Sequence, residues 1–174
     1  MPFDAASPIA PAPVRPGVPP LKRIAWAGLG SFLAIGACGL LSEWSGLAWL
    51  MAPFGASCVL VFGLPESPLA QPRHVVGGHL IASMIGLILA GPLPATPPAL
   101  AAGMALALIA MQLTRTVHPP AGADPLVFMM AGQGLAEAWP QLLHPVLAGS
   151  ALIVLIGIGV NWLAGRRPYP LYWV

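Results

Sequence analysis

Apolar runs close to the ~20 residues that a membrane-spanning helix needs recur along this chain, separated by short clusters of polar, charged or proline residues. Lys22 and Arg23 precede the first run, Ile24 to Leu41, and Glu43 and Trp44 follow it as a polar and aromatic pair suited to the membrane interface. The second run, Leu47 to Leu64, is apolar but contains Pro53-Phe54-Gly55-Ala56-Ser57. That motif predicts a helix break, with Ser57 as the N-cap of the segment after it. A polar loop, Pro65 to Pro72, leads through Arg73 and His74 to a span over Val75 to Gly91, interrupted only by His79. The uncharged loop Pro92 to Pro98 precedes a span over Ala99 to Leu113, which ends at Thr114-Arg115-Thr116. After the fifth element, a loop from Gln133 to Pro140 carries Glu137 and Trp139. The last span, Val146 to Leu163, is closed by Arg166-Arg167 and an aromatic tail with Tyr169, Tyr172 and Trp173.

The fifth element departs most from this pattern. His118-Pro119-Pro120-Ala121-Gly122-Ala123-Asp124-Pro125-Leu126 sets a histidine, three prolines and an aspartate in an oily chain. Pro119 and Pro120 donate no backbone hydrogen bond and push the residue before each out of the α region. Asp124 followed by Pro125 reads as an N-cap with proline at the first helical position. A helix is broken and restarted here, and in lipid such backbone is tolerated only where it is packed in protein or lines a cavity.

Composition narrows the class. Apolar residues make up 57% of the chain and charged residues 7%, against roughly 25% charged in soluble domains. The expectation is an integral membrane protein organised as one compact helical domain, residues 21–168, between a disordered Pro/Ala-rich tail (1–20) and a short aromatic tail (169–174). A net charge of +2 is too small to suggest a nucleic-acid partner. Cys38 and Cys58 lie in apolar runs and read as small buried hydrophobes. The histidines are scattered, and neither G-x-S-x-G nor H-E-x-x-H occurs. An enzyme, a metal centre and a bound cofactor are therefore not expected.

The two broken elements resemble each other. Pro53 to Ser57 aligns with Pro120 to Asp124, and Gly78 and Gly86 in the following span correspond to Gly149 and Gly157. The predicted fold is all-α and polytopic, with two repeats of span, broken helix and span, giving four full spans and two discontinuous helices. About six extended and nine helical residues reach roughly 33 Å, enough for the fifth element to cross. If both broken elements cross, Lys22, Arg23, Arg73, Arg115, Arg166 and Arg167 share the cytoplasmic side, with both termini, and Glu43 and Glu137 lie outside. That satisfies the positive-inside tendency, makes the repeats inverted and gives six crossings.

Three motifs in order, PFGAS at 53–57, SPLAQPR-x-V-x-GGH at 67–79 and HPPAGADPL at 118–126, resemble those of the HPP family of integral membrane proteins, over roughly residues 22–165. The family is described as small, helical and membrane-embedded, with four spanning helices. Position 74, commonly asparagine in the motif, is His74 here. Members from photosynthetic lineages look like nitrite transporters. The resemblance thus implies transport of a small inorganic anion, nitrite being the specific expectation, in a bacterial plasma membrane.

Helix restarts at Ser57 and Asp124 would expose unpaired N–H groups, which attract anions. A fixed Asp124 carboxylate would instead favour a cation or proton. The substrate-binding residues expected from the sequence are Ser57, Arg73, His79, Arg115, His118, Gly122 and Asp124. Pro53, Gly55, Pro119, Pro120 and Pro125 act as structural breaks. His118 binds substrate or relays protons, or else it holds the Pro-Pro turn. His79 is an intramembrane ionisable group or an interhelical bond former. Arg73 and Arg115 orient the chain or form an anion vestibule. Two other functions stand beside anion transport: a proton- or cation-coupled carrier using Asp124 and His118, and a non-transporting scaffold or sensor subunit. Small-residue helix faces are compatible with a homo-oligomer in the lipid bilayer.

Overall fold

The computed structural model describes residues 17–132, 138–140, 142–165 and 169–173, and every regular element among them is helical. Helix α1 is Leu21–Ser45, α2 is Ala52–Cys58, α3 is Pro72–Ala90, α4 is Pro97–Leu113, α5 is Asp124–Ala131, and α6 is Gly149–Leu163. Wider π-helical turns extend α2 through Val59–Gly63 and precede α6 at Leu142–Ala148. Short 3-10 turns occupy Pro68–Ala70 and Pro119–Ala123. Among the described residues, three helical stretches are long and apolar enough to cross a membrane: Leu21–Ser45, Pro72–Ala90 and Ala138–Leu163. Pro97–Leu113 is apolar but shorter. Glu137, Arg166, Arg167 and most of the tail 1–20 lie outside the described residues.

Several boundaries move, each for a local reason. Helix α1 runs on through Glu43 and Trp44 to Ser45 and ends on Gly46, whose φ of 72° is the left-handed conformation glycine adopts without strain. The second apolar run is helical only from Ala52, because Pro53 starts a helix well and continues one badly. PFGAS is thus the opening turn of α2 rather than a break inside a helix. Met51, in extended conformation, occupies the N-cap position, and Ser57 lies inside the helix with its hydroxyl turned back to Pro53 O at 3.2 Å. Prolines likewise set the starts of α3 at Pro72 and α4 at Pro97. The last helical stretch contains Pro145, and the wider turn around it lets helix precede Val146.

The fifth element is broken where the sequence places the break. His118 is extended, with φ −132° and ψ 103°, as a residue before proline prefers. Asp124, however, is not an N-cap. The 3-10 turn passes straight into α5, Asp124 is its first residue with φ −59° and ψ −45°, and the cap position falls to Ala123 without a side-chain bond.

Contacts along the two broken elements show how far each travels. Leu50 N–H donates to Ser42 Oγ near the end of α1 (2.9 Å). Further on, the Phe62 ring lies against Gly30, and Gly63 and Leu64 share a cleft with Pro19 and Arg23. The first broken element therefore runs back along α1 for about 28 Å. The second begins at the other end of the bundle. Arg73, in the first turn of α3, donates to Thr114 O (2.9 Å) and Arg115 O (3.2 Å) at the end of α4. Gly78 then meets Thr116 and His118, and Gly86 meets Pro125 and Phe128, so this element climbs α3 toward its far end.

Helix α3 packs against α4, α5 and α6, and α1 packs against α6. Gly149 and Gly157 of α6 receive Phe54 and Val61 of the first broken element. Asn161 ties the same pair together, donating to Val61 O (3.1 Å) and Gly157 O (2.9 Å). Side chains facing away from these contacts are large and apolar: Phe32 is 74% exposed, Leu113 80% and Leu155 62%. A soluble protein rarely leaves such a surface bare, whereas lipid covers it without cost. Cys38 and Cys58 are both buried free thiols.

Candidate functional site

Helix α2, the middle of α3 and the break in the fifth element converge on one buried cluster. The 3-10 turn at Pro119–Ala123 packs against α2, which brings Ser57 and His118 together although 61 residues separate them. Ser57 Oγ lies 2.9 Å from His118 Nε2 and 2.7 Å from His79 Nε2. The other His79 nitrogen, Nδ1, lies 2.8 Å from Asp124 Oδ2. Ser83, one turn beyond His79 on α3, donates to the same oxygen at 3.0 Å. His118 Nδ1 lies 2.8 Å from Leu69 O. A carbonyl only accepts, so this nitrogen carries the hydrogen and His118 Nε2 accepts from Ser57 when the ring is neutral.

All five side chains of this network are 0% exposed. The Phe54 ring meets His79 edge-on at 5.0 Å, and the two imidazoles stand 5.1 Å apart at 67°. One atom stands out: Asp124 Oδ1 is buried without a hydrogen-bond partner among the described residues. Polar atoms sealed from water without a partner are costly and rare. Clefts of about 520 and 500 Å³ open on the surface, the first beside Arg23 and Glu66 and the second beside Arg73 and Trp173. Neither is lined by a residue of the network, whose five side chains are all fully buried.

Residues 16–170 match the transmembrane region of the HPP family. The chain belongs to that family. It is also similar to two transmembrane proteins of Dictyostelium discoideum, each 35% identical. One is matched over 91% of this chain and 59% of the relative, the other over 88% and 52%. The chain thus spans about half the length of the curated relatives it matches. No solved structure matches it.

The three HPP-family motifs meet at this site. PFGAS contributes Phe54 and Ser57, the GGH ending of the second contributes His79, and HPPAGADPL contributes His118 and Asp124. Of the residues singled out in the sequence, Ser57, His79, His118 and Asp124 come together, through side chains rather than through exposed helix ends. Gly122 is buried next door, where a Cβ would touch the Met104 methyl at 3.3 Å. Gly55 faces open space. Arg73 and Arg115 gather elsewhere: Arg73 donates to the Thr114 and Arg115 carbonyls just past the end of α4, and Arg115 is exposed in a left-handed conformation with φ 56°.

Ser83 and the Leu69 carbonyl escaped the sequence reading. Ser83 had one available signal, its i+4 spacing from His79, which places both on one face of α3. The second layer was also missed. Gln71 Nε2–H donates to Pro65 O (2.9 Å) and Ser67 O (2.8 Å), holding the loop that presents Leu69. The aromatic tail closes over this loop: Tyr169 Oη donates to Ala70 O (3.0 Å), and Leu171 N–H donates to Gln71 Oε1 (2.7 Å). His74 Nδ1 donates to Val117 O (2.8 Å), and its Nε2 lies 3.2 Å from Tyr172 Oη. Position 74 thus fastens the approach to His118 and stays outside the network.

Proposed function

We propose that this HPP-family protein moves a small inorganic anion across the membrane, with nitrite as the specific substrate, through the site at Ser57, His79, His118 and Asp124. The observation that carries the reading is the buried polar network itself. Ionisable groups inside a membrane domain are expensive and mark ion or proton pathways. Here three of them, with two serines, occupy the middle of α3 and the facing breaks of two other elements. A scaffold needs no such group.

Contacts along the chain support six crossings. One broken element accompanies α1 over nearly its full length, and the other accompanies α3. The repeat has support in packing as well. Gly86 receives Phe128 and Gly157 receives Val61, and these two partners each stand four residues beyond the aligned pair Asp124 and Ser57. Each repeat's final span thus houses the broken element of the other repeat. Such an exchange between inverted halves supports a site near the axis that would relate them, where transporters of this design bind substrate. Lys22, Arg23, Arg73 and Arg115 at one end of the bundle support a cytoplasmic side for that end.

Uptake of labelled nitrite by proteoliposomes tests the reading. Flux above protein-free vesicles, lost in Ser57→Val and His118→Ala variants that still fold, is the expected result. Absence of nitrite, nitrate and formate flux from folded wild-type protein would overturn it.

A further inference from the structure

The hydrogen bonds of the network fix how many protons it holds, and with that the form in which it accepts an anion. Three contacts join His118 Nε2, Ser57 Oγ, His79 and Asp124 Oδ2, and each needs one hydrogen. His118 has already committed its ring hydrogen to Leu69 O. Ser57 supplies one of the three, its hydrogen going to His118 Nε2 at 2.9 Å in preference to the farther Pro53 O at 3.2 Å, and a neutral His79 supplies another. The third is an additional proton lying between His79 Nδ1 and Asp124 Oδ2. The fully bonded cluster therefore has no net charge, whether that proton is drawn on the carboxyl group or on the imidazole.

Among the described residues, nothing else nearby offsets an arriving charge. The Arg73 guanidinium is held at the end of α4, and His74 faces Val117 O and Tyr172. Arg115 is exposed, and Ser83 contributes only its hydroxyl. An anion entering alone would leave an uncompensated charge in a dry interior, which low-polarity surroundings penalise heavily. The unpartnered Asp124 Oδ1 supplies the remaining piece.

We propose that the site takes up its anion together with one proton, with Asp124 Oδ1–H as the donor to the anion and His79 as the bearer of the compensating positive charge. This rests on the anion-transport reading and makes the process electroneutral. In the loaded state His79 is an imidazolium, donating from Nε2 to Ser57 Oγ and from Nδ1 to Asp124 Oδ2. The Asp124 carboxyl keeps its own proton on Oδ1. One anion and one proton enter, the same two leave on the opposite side, and no covalent bond forms or breaks at the anion. The ligand class is the conjugate base of a small weak acid, and the carboxyl acts as a donor rather than as a repelling charge.

Calorimetric titration of sodium nitrite into the full chain in lipid nanodiscs, repeated in buffers of different ionisation enthalpy, counts the protons taken up. One proton per nitrite bound is expected. His79→Gln, which cannot carry the charge, abolishes the uptake and weakens binding roughly a hundredfold, the cost of stranding a buried charge. Asp124→Asn keeps a donor and leaves the charge on His79, so it binds more weakly than wild type but still takes up one proton; Asp124→Ala loses binding. Binding by wild-type protein without proton uptake overturns the proposal, as does loss of the linkage in Asp124→Asn with retention in His79→Gln. The wild-type count does not depend on any variant folding. Proton-linked binding without flux in proteoliposomes sinks the transport reading alone, whereas flux that scales with membrane potential sinks electroneutral uptake alone.

Discussion

Replacing Gly78 by alanine gives a sharp test of the packing that builds the site. A Cβ there would lie 2.6 Å from His118 Cβ and 2.9 Å from Thr116 O, and ordinary contact begins near 3.4 Å. Neither neighbour is the end of a flexible side chain, so relief requires moving the extended strand before the 3-10 turn by about 0.8 Å. A shift of that size stretches the 2.9 Å bond between His118 and Ser57 to about 3.7 Å, beyond hydrogen-bond reach. Overpacking costs about 1–3 kcal/mol and the lost buried bond about 1–2 kcal/mol, against a gain of about 0.8 kcal/mol from alanine's helix propensity. The net loss is about 1–4 kcal/mol, or roughly 2–16 °C in thermal midpoint at this chain length. Gly36 on α1 is the control, since a Cβ there meets nothing within 4 Å. Thermal unfolding in mild detergent, followed by tryptophan fluorescence, compares the two. A Gly78→Ala midpoint at or above that of Gly36→Ala would refute the close approach and the reading built on it.

Asn161→Leu removes the donor that ties α6 to the π-helical turn at Val61 and should cost about 1–2 kcal/mol, read as a lower thermal midpoint with nitrite binding retained. Tyr169→Phe loses the bond to Ala70 O and should cost about 1 kcal/mol. Burial holds the Tyr169 phenol above its ordinary range. The folded chain thus keeps a proton that the unfolded chain releases. That contribution is intact below pH about 10 and fades as pH rises through the folded value; thermal midpoints from pH 8 to 12 should fall less steeply in Tyr169→Phe. Single cysteines placed beside Arg73 and Arg115, in a chain with Cys38 and Cys58 replaced, should resist an external impermeant maleimide, and one beside Glu137 should react. External labelling near Arg73 would overturn the six-crossing path.

Prolines made the fold readable, because each fixes its own backbone wherever it falls. Pro119 and Pro120 announced the break that the structure contains, and Pro125 the restart. The same residue type misled where its position within a helix mattered. Pro53 opens α2 instead of interrupting a longer helix, which moved Ser57 from a cap into the helix interior and turned its hydroxyl toward two imidazoles. Asp124 failed as a cap for a related reason: a 3-10 turn delivers the chain into α5 already helical. The site residues were visible as polar exceptions in apolar runs. Their partners were not, since a contact between residues 57 and 118 depends on tertiary packing that no local pattern encodes. Ser83 and Tyr169 looked ordinary, a small hydroxyl in a helix and an aromatic near a chain end, until packing gave each a carboxylate or a carbonyl.

The brevity of α5 bears on how the protein is made. Eight helical residues that open on Asp124 are too few to leave the insertion machinery sideways as an independent helix. They must be received by surfaces already standing: the flank of α3 at Gly78 and Gly86, and α4 at Gly103, where Met129 seats. Both helices precede α5 in the chain, so synthesis builds that cradle first. The first broken element has the opposite fate. Gly30 of α1 is there to meet Phe62, but Gly149 and Gly157, which receive Phe54 and Val61, are translated only after α3, α4 and α5. The first broken element therefore waits, incompletely housed, for α6 to arrive.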